Sequence, residues 1–447
     1  MTSIPDQILA APATSQDEAL AELADRLQRE VARRLAQQAS GSGQDSAMTA
    51  ARRAEMGRQF IAAALDDEAA SALTGGRRPL DADAERQVGQ AVFDALFGLG
   101  GFQPLLDDPS VESINANGCD EVFVQYSGGR RERAAPVAAS DSELIDLVRA
   151  IAARTGTEER RFDRASPRVS VSLPDGGRLF AVMAVTATGR PCVAIRRDRL
   201  ASASLDDLVA NGTIDGQLAE FLTATVRARK NILVSGATAV GKTTLLRALA
   251  SAIPPYERLI TIEDSLELCL DRDRVAHPDV VAMQAREPNV EGEGEITLAE
   301  LVRWALRMTP DRVLVGEVRG NEVLPMLNAM AMGNDGSMTT IHASSSRGTF
   351  MKLAAYAAQT EEHLSLEDTN LLIAGAVHFV IQLAWDARGR RCVTSIREVV
   401  DCDGRQVVSN EVYAPGPDRR AVPSVPVRAA TLEELEAAGY QPTGGLR

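Results

Sequence analysis

Lysine is nearly absent from this chain. Among its 48 basic residues only Lys230, Lys242 and Lys352 are lysines, so each marks a place where a compact ammonium replaces a guanidinium fork. Aromatic residues make up only 4% and the formal net charge is −14. A protein built mainly to grip nucleic acid needs a basic face and stacking rings, and this composition argues against that class. Cysteines are few and scattered: Cys119, Cys192, Cys269, Cys392 and Cys402 include no C-x-x-C pair. That spacing speaks against a disulfide framework or a zinc site and fits a reducing cytoplasm. No run of about 18 apolar residues occurs, so no membrane-spanning helix is expected. Nothing at the start has a basic segment followed by an apolar core, so no signal peptide is expected either. The expectation is a soluble protein that meets a membrane only through a partner.

What is present is an ordinary globular composition, 45% hydrophobic over 447 residues, which implies two or three domains. The first 14 residues are Ala/Pro/Thr-rich and read as disordered. Ser15-Gln16-Asp17-Glu18 has a capping-box pattern before Leu20, Leu23, Leu27, Val31 and Leu35 at helical spacing. A polar stretch from Ala39 to Ser46 and a second helical pattern up to Gly75-Gly76 follow, so residues 1–80 read as a helical and disordered extension. Residues 81–204 read as a small α+β domain: a helix through Val92, Leu96 and Phe97, then alternating strands at 121–126, 168–173 and 178–183. Pro174-Asp175-Gly176-Gly177 supplies a turn between the last two. From 205 to 412 the rhythm is strand, loop, helix, strand, with strands at 231–235, 258–262 and 312–315 and helices at 243–252 and 296–308. That alternation predicts a parallel sheet covered by helices, an α/β domain. Residues 413–447 read as a Pro-rich tail with one short helix at 431–434 stopping at Gly439.

The chemistry begins at Gly236-Ala237-Thr238-Ala239-Val240-Gly241-Lys242-Thr243, which satisfies G-x-x-x-x-G-K-[ST]. Glycines let backbone N–H groups close around phosphate oxygens, and the helix behind offers its positive end. Lys242 is expected on the β- and γ-phosphates and the Thr243 hydroxyl on Mg²⁺, with Thr244 completing the nucleotide-binding segment. The loop follows an apolar strand and opens a helix, which a chance Gly-rich turn would not.

Hydrolysis needs a metal and a positioned water as well. The strand 312–315 runs into Gly316-Glu317, and a carboxylate at that sheet edge faces the ligand crevice. Glu317 is the expected activator of water. Glu263 and Asp264, at the end of another strand, form a second acidic pair, and Glu263 and Glu317 join Thr243 as expected metal-side residues. Gly316 stands where many phosphate-loop enzymes carry a metal-side Asp. His342 closes the strand-like run Met338-Thr-Thr-Ile-His342; a lone histidine is as readily structural as functional. His277, His363 and His378 read as structural.

Taken in order, these segments resemble the type II/type IV secretion ATPases, in particular the CpaF branch of the Tad (Flp) pilus assembly ATPases. The similar stretch runs from about Gly98 to Val408. It is carried by Leu105-Leu-Asp-Asp-Pro-Ser-Val111, Ile114-Asn-Ala-Asn-Gly118, Asn231-Ile-Leu-Val-Ser-Gly236, Thr261-Ile-Glu-Asp264 and Pro288-Asn-Val-Glu-Gly292. Further on come Leu306-Arg-Met-Thr-Pro-Asp-Arg312, Val315-Gly-Glu-Val-Arg319 and Gly336-Ser-Met-Thr-Thr-Ile-His342. The resemblance implies a RecA-like ATPase domain behind a sensor-like N-terminal domain, ATP and Mg²⁺ as cofactors, and a homo-hexameric ring. It places that ring on the cytoplasmic face of an inner-membrane secretion or pilus platform, with no direct nucleic-acid contact. It also implies an acidic box of Glu263, Asp264 and Glu267, a Walker B glutamate at Glu317 and a histidine box ending at His342. Arg178, Arg196 and Arg197 match segments whose arginines reach the nucleotide in relatives, where a guanidinium offsets charge on the transferring phosphoryl group.

There are departures from the family pattern. Ala239-Val240 replaces Gly-Ser, and Ala239 matters most if its position requires positive φ. Asn334 stands for a frequent His and Ser344 for a frequent Asn, changes expected to slow hydrolysis while sparing binding. Two other functions are therefore weighed beside the motor: a nucleotide-binding structural subunit with little turnover, and a DNA-transfer motor of the conjugation type.

Overall fold

Leu27, Val31 and Leu35 fall on one face of a helix and are all buried, which is what their helical spacing predicts. The structure, a computed structural model, describes residues 15–41, 50–127, 129–155, 161–173, 176–197, 203–286, 288 and 292–442. Several expectations lie outside the described residues: the first 14 positions, the linker beyond 41, Pro174-Asp175 of the turn, and Asn289-Val290-Glu291. The side chains of the Ser15–Glu18 capping box do so too. The chain divides into two compact units, Met1–Arg199 and Leu200–Arg447.

In the first unit, helices α1 (Ser15–Gly41), α2 (Ala50–Thr74) and α3 (Ala82–Phe97) share a core of Leu27, Val31, Leu35, Ile61, Ala64, Val88 and Val92. Asp81 caps α3 by accepting from the N–H groups of Asp83 and Ala84. The expected extension and the first helix of the expected α+β domain thus form one three-helix bundle. After the short α4 (Gln103–Asp107) come β1 (Val111–Asn117), β2 (Val122–Tyr126), β3 (Arg131–Ala134), α5 (Asp141–Thr155), β4 (Arg168–Ser172), β5 (Arg178–Val182) and β6 (Cys192–Arg196). The strands make an antiparallel sheet in the order β3-β2-β1-β6-β5-β4. Alternation sends Ile114, Val124, Val171, Leu179 and Ile195 into one core with Leu144, Val148 and Ile151 of α5.

The second unit opens with α6 (Leu205–Ala210) and α7 (Gly216–Arg227), each started by a side-chain cap, Ser204 and Asp215. Then follow β7 (Ile232–Gly236), α8 (Lys242–Ala250), β8 (Leu259–Glu263), β9 (Val280–Gln284), α9 (Leu298–Ala305), β10 (Arg312–Val318), α10 (Val323–Ala331) and β11 (Met338–His342). The chain ends with α11 (Gly348–Ala357), α12 (Leu366–Ala376), β12 (Phe379–Trp385), β13 (Arg391–Cys402), β14 (Val407–Pro415), β15 (Ala421–Pro423) and α13 (Ala429–Ala437). The sheet order is β15-β14-β13-β12-β7-β11-β10-β8-β9. From β12 to β9 all pairs are parallel, as the strand–helix rhythm predicts; β13 to β15 continue it antiparallel. Strands β7 and β8 are buried along their whole length because helices cover both sheet faces. One face packs on α6, α7, α8 and α13, the other on α9, α10, α11 and α12.

The expected tail is a correction. From Tyr413 to Pro442 the chain stays in the fold: Tyr413, Val427, Leu435 and Tyr440 are buried in the same core as α7 and α8. Tyr413 and Tyr440 lie 5.2 and 5.6 Å from the Phe221 ring. Arg428 bonds Glu398 at 3.0 Å, and Thr431 donates its hydroxyl to the same carboxylate at 2.6 Å. The prolines of this segment shape an edge and a turn; they do not release it.

Candidate active site

Parallel pairing brings the ends of β7, β8, β10 and β11 to one sheet edge. Gly236 is opposite His342, and Ile262, one residue before Glu263, is opposite Val315, two before Glu317. Residues up to 106 positions apart in sequence therefore meet at the mouth of the phosphate loop.

The loop is shaped from below. A Cβ on Gly236 would stand 2.7 Å from the Leu383 carbonyl oxygen and 2.8 Å from Val240 Cγ1, so only glycine fits where the chain leaves β7. Val240 is fully buried in the α8-side core and anchors the far end of the loop, while Ala237, Thr238 and Ala239 stay exposed. Gly241 has φ of +103° and caps α8, whose first residues are Lys242, Thr243 and Thr244. Ala239 has φ of +62°, a left-handed conformation that costs a non-glycine residue on the order of 1 kcal/mol. The condition attached to the Ala239 departure is thus met, and the Val240 departure has a packing reason.

Behind the loop three side chains make successive contacts. Lys242 Nζ donates to the Ala237 carbonyl at 3.0 Å and lies 3.1 Å from His342 Nδ1. His342 Nε2 is 3.0 Å from Glu317 Oε1. One tautomer satisfies both contacts: Nδ1 accepts from the ammonium, and Nε2–H donates to the carboxylate. Partial burial lowers the His342 pKa, and Lys242 and Lys352 lower it further against the opposing pull of Glu317. Burial and the two lysines thus favour the neutral imidazole that these two contacts need.

Glu263 sits differently. It is 3% exposed, and its Oε1 accepts the N–H groups of Glu267 and Leu268, both at 3.0 Å. Burial pushes its carboxyl up to about 7, against those two bonds. Its Oε2 is buried with no protein hydrogen bond. Gly316 explains the missing Asp of the strand end: a Cβ there would stand 3.0 Å from Glu263 Cγ, so Glu263 occupies that space. Asp264 pairs with Arg319.

Other expected residues are placed elsewhere. Asn334 lies before β11, at the edge opposite the loop, where its amide donates to the Pro310 carbonyl at 2.8 Å. The effect on hydrolysis expected from that departure has no geometric basis. Ser344 is exposed two residues after His342. His378 accepts from the Asn231 N–H at 2.9 Å and His277 is buried, which are structural settings for both. Arg178, Arg196 and Arg197 belong to the first unit. Arg178 and Arg196 are direct cross-strand partners on β5 and β6, a like-charge pairing that costs stability unless an anion lies over it. Arg178 Nε donates to Ser170 Oγ at 3.1 Å and Arg197 to the Asp108 carbonyl at 2.9 Å. Arg247, inside α8, was not singled out by any motif. Its signal is a lone charge in the apolar run Leu245-Leu246-Arg247-Ala248-Leu249.

The strand, the glycine-bounded loop and the helix opening on Lys242, with carboxylates gathered at the same sheet edge, define a phosphate-loop nucleotide-binding protein. The family model "Type II/IV secretion system protein" matches residues 98–414. The chain belongs to this family, and it is an ATPase of that class. A Mycobacterium tuberculosis protein named for conjugal transfer is 36% identical over 316 residues, 69% of this chain and 87% of that one. VirB11 of Agrobacterium fabrum is 32% identical over 304 residues, 62% and 85% of the two chains. Among solved structures, the VirB11 ATPase of the Brucella suis type IV secretion system is 29% identical with a TM-score of 0.35, covering 70% of this chain and 96% of that one. The Legionella pneumophila ATPase DotB is 19% identical with a TM-score of 0.48, covering 68% and 80%. The matched family region leaves out α1, α2 and α3, together with β15 and α13.

Proposed function

We propose that this chain is a Mg²⁺-dependent ATPase that works as a homo-hexameric ring against the cytoplasmic face of an inner-membrane platform protein. Its work is Tad or type IV-like pilus assembly, or type II/IV secretion. The observation that carries this reading is the line Lys242–His342–Glu317 directly behind the phosphate loop. The residues fit a nucleotide: Gly236, Ala237, Thr238, Ala239, Val240 and Gly241 leave an open, partly exposed arch over the N-terminus of α8. A bound Mg²⁺ would supply neutralisation of the phosphate charge.

The chain's own groups divide the remaining tasks. Lys242 moves its ammonium from the Ala237 carbonyl to the terminal phosphates, and Thr243 offers its hydroxyl to the metal side with Glu263 Oε2 and Glu317. Thr244 continues the helix beneath. Glu317 orients and deprotonates water, and His342 Nε2–H holds that carboxylate in place. For Arg178, Arg196 and Arg197 the proposed role is the one the resemblance implies, a guanidinium that offsets charge on the transferring phosphoryl group. No helix among the described residues is long and apolar enough to cross a membrane.

Steady-state ATP hydrolysis with Mg²⁺, measured beside Glu317→Gln and Lys242→Ala, tests the proposal. Turnover lost in both variants, with the Gln form still binding ATP, supports it. Tight ATP binding without turnover in the wild type favours the structural-subunit reading, which the strained Ala239 motivates. A DNA-transfer role is kept as the second reading because a 36% identical relative is named for conjugal transfer. Salt-dependent binding of single-stranded DNA by the purified ring would favour direct DNA handling.

A further inference from the structure

The turn after β8 is held by two buried side chains, Glu263 and Arg247. Glu263 takes the N–H groups of Glu267 and Leu268, both at 3.0 Å. Arg247 takes the carbonyl groups of the same two residues, Leu268 through Nε at 3.0 Å and Glu267 through Nη2. Arg247 lies on α8, five residues after Lys242, and is only 3% exposed. A buried guanidinium must be fully hydrogen-bonded to be tolerated, and its planar fork matches two successive carbonyls in a way no ammonium does. The other end of the turn is also tied. Asp264 pairs with Arg319, two residues past Glu317, and the Asp264 carbonyl accepts from Gln284 Nε2 at 2.9 Å.

We infer that Arg247 is a positioning residue for the reaction, linking the phosphate-loop helix through the 264–268 turn to the strand end that carries Glu317. This rests on the ATPase reading of the same site. A displacement of α8 on phosphate binding is transmitted by Arg247 to the peptide units of Glu267 and Leu268. From there it passes by Asp264 and Arg319 to the end of β10. Lys242 and Arg247 thus connect one helix to both the phosphates and the carboxylate framework. Arg247 itself touches no substrate.

The full-length chain is tested as wild type, Arg247→Gln, Arg247→Lys, Asp264→Asn and the Gln/Asn double variant. Readouts are kcat, the affinity for a fluorescent ADP analogue, and amide exchange of a peptide spanning 264–270 with and without that nucleotide. The expected result for Arg247→Gln is a kcat lower by about 10- to 100-fold, the scale of a small misplacement, with nucleotide affinity retained. The double variant is expected to be no slower than the slower single one, because both cut the same connection. Nucleotide is expected to slow exchange in the 264–270 peptide of the wild type, but not of Arg247→Gln. Arg247→Lys keeps the charge without the fork, so its kcat should fall between wild type and Gln. If the Gln variant does not fold, the Lys variant carries the same comparisons. Wild-type kcat in a folded variant, joint loss of affinity and turnover, or additive effects with Asp264→Asn would each overturn the inference. A wild type without turnover defeats the ATPase reading alone. The exchange measurement then decides the linkage, which fails if nucleotide protects the turn equally in wild type and variant.

Discussion

Glu263 is a carboxyl whose buried environment opposes its ionisation. Burial raises its folded pKa to about 7 from an ordinary 4.5. Between those values the folded chain holds a proton that the unfolded chain has lost. Its contribution to stability is therefore fully present below pH 4.5 and is lost as pH rises through 7. Glu263→Gln keeps the carbonyl-type acceptor for Glu267 and Leu268 and removes the titration. In EDTA, the variant's stability relative to wild type should rise from pH 5 to pH 8 by on the order of 3 kcal/mol in denaturant melts. A pH-independent difference would show that Glu263 is not the titrating group. Ala239 offers a second residue-scale test. Ala239→Gly relieves the left-handed strain, and the extra freedom of glycine in the unfolded chain offsets part of the gain. A net stabilisation of less than about 1 kcal/mol is expected, and a fall in Tm would refute strain at this position.

At the scale of elements, the phosphate loop depends on what anchors its two ends. Gly236 passes between the Leu383 carbonyl and Val240, and Val240 is itself locked in the core with Leu245, Leu246 and Leu249 of α8. The exposed arch is thus anchored at both ends to a packed base. The C-terminal elements belong to that base. Leu435 on α13 is fully buried in the core that contains α7 and α8. Leu435→Ala should cost about 2–5 kcal/mol, read as a lowered melting midpoint, because the cavity opens beneath two helices that cannot collapse on it. If residues beyond 413 were a tail, the same change would leave the midpoint unmoved.

At the scale of the whole molecule, the proposed ring makes a prediction of mass. In Mg²⁺ and a non-hydrolysable ATP analogue, sedimentation should give a species of six chains, and Lys242→Ala should reduce its population. A monomer at all nucleotide concentrations would remove the ring from the proposal. Net charge of −14 predicts that single-stranded DNA does not stimulate turnover at physiological salt, in keeping with the protein-handling reading.

Local sequence determined much of this protein. The phosphate loop was legible because its function needs fixed residue types at fixed short spacing, and the parallel sheet was legible because buried strands and amphipathic helices alternate in hydropathy. Lys242 stood out because lysine is so rare here. The three-dimensional structure decided what depends on residues far apart in the chain. It joined His342 to Lys242 and Glu317, since parallel pairing sets Gly236 beside a residue 106 positions away. It moved Asn334 to the far edge of the sheet and turned a Pro-rich tail into core, because burial is decided by neighbours that composition does not name. It also gave Arg247 a task, since a guanidinium's carbonyl partners lie on another element and leave no spacing to read.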